Sequence, residues 1–338
     1  MKPEENVINF IKNLKKEDNI ALVYHRDTDG LCSGVLMKKV LNTFGLKPKL
    51  IVAHLEREDI LSKLQQNFDV LIFVDIAIDH LDGNFWSKKQ RVLLIDHHPP
   101  FKDLSSNNIV HYNNHFYGNG YKPASYLVYK LFSDLLKDYE WISVIGTIAD
   151  YGYEDCKDLL DKHFSVENKK EMFKTRYGKI AGMITGASFI IGFEKISDIL
   201  SESKLADIEN NKSILKAYEK YEIEVERCKK EFWKNAVNYG NIVFSTFESE
   251  FERIQSPVSS MLSTENPDKV IILYYNSGKG IKINGRTNLD YNLGDIFKKA
   301  ASYAGGQGGG HKPAAGALIP KGKLEDFKKK VIELLNNC

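Results

Sequence analysis

Three clusters of aspartate and histidine stand where apolar, β-branched runs end: His25-Arg26-Asp27-Thr28-Asp29-Gly30, Asp75, and Asp96-His97-His98-Pro99-Pro100. A fourth acid, Asp150, closes the apolar segment Trp141–Ala149. In an extended loop alternate residues face the same way, so His25, Asp27 and Asp29 can converge. Acidic residues ahead of a helix also serve as caps, and a lone strand-end aspartate is often a turn former. The shared placement carries more weight, because ligands of open α/β sheets bind outside the carboxyl ends of the strands. Asp150 in turn is costly to bury unless it is paired or metal-bound. Together these residues form a mixed oxygen and nitrogen donor set suited to Mn²⁺ or Mg²⁺. Zinc is less suited, since no cysteine lies among them. So many carboxylates exceed the needs of one ion. Two ions sharing an aspartate, about 3.5–4 Å apart, suit hydrolysis of a phosphate ester by activating water and stabilising the leaving oxygen.

A second constellation lies near the end of the chain. Six of the 24 glycines fall within Gly305–Gly316, GGQGGGHKPAAG, with His311 and Lys312 embedded. Glycines let backbone N–H groups approach a phosphate closely. The run lacks the strand-then-helix context of a dinucleotide fingerprint and the GK[ST] of a P-loop. Arg286, at the end of a nearby strand, has the fork geometry to hold a phosphate or carboxylate. A solvated surface arginine is the plain alternative.

The elements that must position these groups follow from periodicity. Strands are expected at Asn19–His25, Lys49–Leu55, Asp69–Asp75 and Arg91–Asp96, separated by helices at Leu31–Leu41 and Asp59–Gln66. A helix at Pro123–Leu136 follows. Strands apolar on both faces and alternating with helices predict a parallel sheet covered on both sides. Residues 201–238 read as a charged helix with sparse apolar positions, a solvated connector. Strand signals return at Asn241–Thr246, Val270–Tyr275, Gly280–Asn284 and Ala315–Ile319, with a closing helix at Leu324–Leu335. The expected architecture is α/β: an N-terminal parallel-sheet domain over 1–195, a helical connector over 196–240, and a smaller α+β domain over 241–338.

Composition narrows the class. The chain has 338 residues, 43% of them hydrophobic and 27% charged, with a formal net charge of +2. That excludes a disordered or fibrous chain and a protein that coats long nucleic acid by charge alone. Four scattered cysteines without a CxxC pair read as free thiols in a reducing compartment. The charged N-terminus does not read as a signal peptide, and the longest uncharged apolar stretch, Ile180–Phe193, is too short to span a bilayer. A cytoplasmic protein with no membrane partner is expected.

The same motifs, in the same order, resemble those of the DHH phosphoesterase family: HRDTDG, the strand-end Asp75, Asp96-His97-His98, and Asp150 in GTIAD. GGGHKPAAG, Gly308–Gly316, is similar to the signature of that family's associated C-terminal domain. The resemblance implies RecJ-type exonucleases, nanoRNases and cyclic-dinucleotide phosphodiesterases as the relevant subgroup. It implies one metal on His25, Asp27 and Asp75, and another on Asp29, Asp75, His97 and Asp150. Asp96 would orient the histidines, and His98 would stabilise the scissile phosphate or protonate the leaving oxygen. Arg286, His311 and the N–H groups of Gly309 and Gly310 would grip a substrate phosphate, with the active site in the cleft between the domains. The family often has a serine beside the arginine, where this chain has Gly285-Arg286-Thr287.

The reading is therefore a Mn²⁺-dependent phosphodiesterase or exonuclease, with Mg²⁺ as the alternative ion, acting on short single-stranded RNA or DNA oligonucleotides. Its rivals are a cyclic-dinucleotide or 3′-phosphonucleotide (pAp) hydrolase and a replication-complex nuclease or scaffold subunit. A replication partner and a homodimer are both compatible with it. His54 reads as a structural or rim residue, and His80, His111, His115 and His163 as surface residues.

Overall fold

The computed structural model describes residues 2–53, 60, 62–64, 67–79, 90–118, 120–251 and 254–337. Half of the expected helix Asp59–Gln66, together with His54, His80 and Cys338, lies outside the described residues. The chain divides into two compact units, Met1–Tyr218 and Glu219–Cys338.

Five strands build the first unit's sheet: β1 (Ile20–His25), β2 (Lys49–Ala53), β3 (Val70–Val74), β4 (Arg91–Asp96) and β5 (Ile109–Asn113). All pair in parallel, in the order β2-β1-β3-β4-β5. Alternation along β1 sends Ile20, Leu22 and Tyr24 into one apolar cluster and Ala21 and Val23 into another on the opposite face. Both faces are covered, as the near-continuous apolar strands require. The order reverses between β1 and β3, which makes the carboxyl ends of these two strands the natural ligand crevice.

Helix α2 (Thr28–Thr43) follows β1 with a turn of only two residues. Two glycines permit that closeness. A Cβ on Gly30 would lie 2.4 Å from the His25 carbonyl oxygen, and one on Gly34 would lie 2.7 Å from the Tyr24 ring. Helix α1 (Pro3–Lys12) precedes the sheet, while α3 (Ala124–Leu131), α4 (Glu140–Ala149), α5 (Arg176–Ile191) and α6 (Phe193–Glu202) follow it. The expected helix at Pro123–Leu136 is shorter, with Pro123 at the N-cap and Phe132 at the C-cap.

Helix α7 (Lys212–Lys234) runs through the division between the units. It is not a uniformly solvated connector. Ile214, Ala217, Tyr221, Val225, Cys228 and Phe232 are buried at helical spacing, so its charges occupy the opposite face.

The second unit holds a six-stranded mixed sheet of β6 (Val237–Tyr239), β7 (Ile242–Ser245), β8 (Val270–Ser277), β9 (Gly280–Thr287), β10 (Gln307–His311) and β11 (Ala314–Ile319). The order is β10-β11-β9-β8-β7-β6, and only β7 and β8 pair in parallel. Helices α8 (Gln255–Glu265), α9 (Leu293–Tyr303) and α10 (Leu324–Asn336) complete it. The rings of Phe297 and Phe327 meet edge to face at 5.3 Å in its core.

The glycine run differs from expectation. Gln307–His311 is a strand at the edge of the sheet, paired antiparallel to β11, rather than a loop. Gly310 shows why glycine is needed there: its φ is +145°, and a Cβ would lie 2.5 Å from the Ala314 carbonyl oxygen. Among the described residues no helix is long and apolar enough to cross a membrane.

Candidate metal centre and phosphate-binding strand

The chemistry-bearing residues of the first unit collect at the carboxyl end of its sheet. His25 ends β1, Asp75 follows β3, and Asp96 ends β4 with His97 and His98 next. Asp150 is the C-cap of α4. The two acids of the first motif part ways, contrary to a single convergent loop. Asp27 is the extended N-cap of α2, its carboxylate accepting the Gly30 N–H at 2.8 Å, while Asp29 already sits in the first helical turn. A helical turn rotates Asp29 away, so it faces a different set of partners.

Donor atoms of His25, Asp27 and Asp75 form one tight group, those of Asp29, His97 and Asp150 a second, and those of Asp75, His97 and His98 a third. The distances knit them together. His25 Nδ1 lies 2.6 Å from Asp27 Oδ2 and 3.5 Å from Asp75 Oδ2. His97 Nε2 lies 3.0 Å from Asp75 Oδ1 and 3.5 Å from Asp150 Oδ2. Asp75 is thus the acid common to both halves of the cluster. It is 1% exposed, yet neither carboxylate oxygen makes a hydrogen bond. An unsatisfied buried carboxylate facing histidines and further acids is what a cation site requires. The donor set fits divalent ions with a mixed oxygen and nitrogen preference. Asp75 also adopts a left-handed backbone, φ +62°, with its N–H donating to the Ile95 carbonyl at 3.0 Å.

Neighbouring groups fix the cluster. Asp29 is buried and accepts the N–H groups of Ala124 and Ser125, at 2.6 and 3.0 Å, from the start of α3. Burial, then the charges of Asp75 and Asp150, hold its pKa well above the usual carboxylate range. Burial and Asp75 likewise raise Asp150 to about 6, against the opposing pull of His97. For Asp27, burial is outweighed by His25, and the net direction is down. Burial works to lower His97, but the close contact and charge of Asp75, then Asp150 and Asp29, lift it to about 10. His98 Nδ1 donates to Asp96 Oδ1 at 2.8 Å. Despite burial, Asp96 raises the His98 pKa above its ordinary value.

Several of these supporting residues escape a reading of the sequence. Tyr121 donates its hydroxyl to Asp150 Oδ2, and its ring meets His97 edge-on at 5.2 Å. Asn113 Nδ2 donates to the His98 carbonyl at 2.9 Å, and His115 Nε2 donates to the His97 carbonyl at 2.9 Å. Buried Asp79 accepts the N–H groups of Phe101 and Lys102, pinning the turn beyond His98. A tyrosine 29 residues before its acid carries no spacing signal. Two of the histidines expected at the surface, His111 and His163, also differ. His111 is 6% exposed and accepts the Leu104 N–H, and His163 pairs with Glu140 and Tyr177.

In the second unit, strand register aligns the expected phosphate contacts. His311 pairs with Ala314, which pairs with Arg286; Gly310, Ala315 and Gly285 form the adjacent row. Residues directly opposite across strands share a face, so His311 and Arg286 stand two strands apart, roughly 10 Å, with the small Ala314 between them. The missing serine beside Arg286 is replaced from α8. Arg286 donates to Ser260 Oγ and Ser256 Oγ, each at 3.1 Å, and to the Gly285 carbonyl.

Carboxylates and imidazoles at the carboxyl ends of a parallel sheet, joined in one chain to a mixed sheet with a glycine edge strand, define a two-unit α/β protein with a candidate metal centre. The sequence pattern of the DHH family N-terminal domain matches residues 19–153, and that of the DHHA1 domain matches residues 240–337. The chain belongs to the DHH family of phosphoesterases.

An uncharacterized protein of Methanocaldococcus jannaschii is 26% identical over 437 aligned positions, covering 99% of this chain and 98% of that protein. The crystal structure of RecJ in complex with Mn²⁺ from Thermus thermophilus is similar at a TM-score of 0.74 and 16% identity. That match covers 99% of this chain and 55% of RecJ, so the chain spans about half the length of that relative. A structure of exonuclease RecJ bound to manganese is similar at a TM-score of 0.73 and 16% identity, over 100% of this chain and 95% of the other. At these identities the likeness is one of fold.

Proposed function

We propose that the chain is a Mn²⁺-dependent phosphodiesterase that releases mononucleotides from short single-stranded RNA or DNA. The observation that carries this reading is the convergence of His25, Asp27, Asp29, Asp75, His97 and Asp150 around a buried aspartate with two unsatisfied oxygens. His25, Asp27 and Asp75 would hold one ion, and Asp29, Asp75, His97 and Asp150 a second. Bound divalent ions would offset the phosphate charge and lower the pKa of an attacking water. Residues 1–195 would be the catalytic domain, 196–240 the connector and 241–338 the substrate-binding domain. Manganese in the RecJ relatives supports the choice of ion.

The chain's own groups supply the rest. Asp96 fixes the His98 ring and raises its pKa above the ordinary value, which suits His98 to donate a proton to the leaving oxygen. Arg286, His311 and the Gly309–Gly310 backbone would bind a phosphate of the substrate. Short substrates are favoured by charge: residues 241–338 hold 13 basic and 10 acidic residues, too balanced a surface for long nucleic acid. Mn²⁺-dependent turnover of oligomers of graded length tests this, and equal rates on a dimer and a long strand would refute the length preference.

Two variants probe the supporting residues. Tyr121→Phe removes the hydroxyl that steadies Asp150 and is expected to weaken Mn²⁺ binding about tenfold, read by calorimetric titration of metal-free protein. Arg286→Lys keeps the charge but loses the fork held by Ser256 and Ser260. It is expected to raise KM for oligonucleotides about tenfold or more, with kcat little changed.

A further inference from the structure

Tyr151 follows Asp150 in a backbone that suits tyrosine poorly. Its φ is +60°, one of two non-glycine residues with positive φ among those described, the other being Asp75. It occupies the position just past the C-cap of α4, with the Gly152 N–H bonded to the Thr147 carbonyl at 2.9 Å. Helices that end this way usually place glycine there, because a side chain in the left-handed region is strained. The residue next to Asp150 in the chain thus carries a large ring that is 51% exposed. The ring is not loose. Phe173 meets it at 5.2 Å and 61°, and the Lys169 ammonium lies 5.0 Å from its centroid. Lys169 is also close enough to Asp150 for their charges to interact. An aromatic ring and a cation held together beside the acid offer the two things a nucleotide presents, a base to stack and a phosphate to neutralise.

We propose that Tyr151 and Lys169 form a nucleotide subsite beside the metal cluster, the ring stacking a base next to the scissile phosphate and the ammonium contacting a flanking phosphate. The subsite rests on the nuclease reading and gives it a preference for substrates with a base at that position. Glycine suits the left-handed backbone, so Tyr151→Gly keeps the helix end while removing the ring.

The test uses metal-loaded protein and 2-aminopurine-labelled di- and trinucleotides, whose fluorescence is quenched by stacking. Wild type is expected to quench the label and to cleave these substrates. Tyr151→Gly should lose the quenching and raise KM about ten- to a hundredfold with kcat little changed, and Tyr151→Phe should restore both. The Tyr151→Gly penalty should vanish on an oligomer abasic at that position, because ring and base then act as one pair. Lys169→Ala should flatten the salt dependence of binding by up to about 0.7 in the log–log slope. Unchanged KM and quenching in Tyr151→Gly, alongside normal wild-type cleavage, would overturn the subsite alone. Wild type that neither binds nor cleaves any of these oligomers would overturn the nuclease reading as well.

Discussion

Asp75→Asn is expected to lower turnover at least a thousandfold while leaving the protein folded. Asp75 is the acid common to both halves of the cluster, within 3.5 Å of His25 and His97. Removing its charge takes away the group that would bridge two ions. A loss of several kcal/mol of transition-state stabilisation corresponds to about three decades in rate. Stability should move differently. The carboxylate is buried without a hydrogen bond, and asparagine tolerates the left-handed backbone at φ +62°. Asparagine keeps the backbone but gives up the charge paired with His97, so its melting temperature in chelator should drop modestly near neutral pH. Asp75→Ala should fall below it, since alanine in that region costs about 1–2 kcal/mol. Single-turnover cleavage with thermal unfolding in EDTA reads both effects.

The second large effect is that of pH on the metal-free protein, which metal should reverse. The folded pKa of His97, about 10, lies above its ordinary 6.5 because burial is overcome by Asp75 and the other acids. A group raised in this way stabilises fully below pH 6.5, and its contribution is lost as pH rises toward 10. Asp150, raised to about 6 chiefly by burial, acts in the same sense between its ordinary 3.8 and 6. Metal-free protein should thus lose stability as pH climbs from 4 toward 10. A divalent ion needs the His97 proton gone, so its affinity should grow over the same range. Mn²⁺ is expected to raise the melting temperature more at pH 8 than at pH 6. Chelated protein that became more stable with rising pH would refute this electrostatic account.

The legibility of the sequence followed the range of the interactions. β1, β3 and β4 were visible because apolar runs such as VLIFV and VLLI bury both faces, and each ends in a polar donor. Strand ends then pointed to His25, Asp75 and Asp96-His97-His98, which the fold gathers at one edge. Asp29 was misjudged in conformation because the extended loop ends at Asp27, whose capping of α2 turns Asp29 into the helix. So many glycines suggest a loop, yet Gly308 and Gly310 serve an edge strand lying close on its neighbours. Tyr121 and the Ser256–Ser260 pair reach their partners from distant positions, and no local periodicity encodes such contacts. Residues of α5, read only as an apolar stretch, form a full helix.

These acids and histidines should hold divalent ions that cut phosphodiester bonds in short nucleic acids. End-labelled RNA and DNA oligomers of two to twenty nucleotides, incubated with wild type or Asp75→Asn in Mn²⁺, Mg²⁺ or chelator, test it most directly. The account predicts mononucleotide release by wild type with added Mn²⁺, fastest on the shortest oligomers, with none in chelator or from Asp75→Asn. Intact oligomers under every metal condition, or equal cleavage by Asp75→Asn, would contradict it.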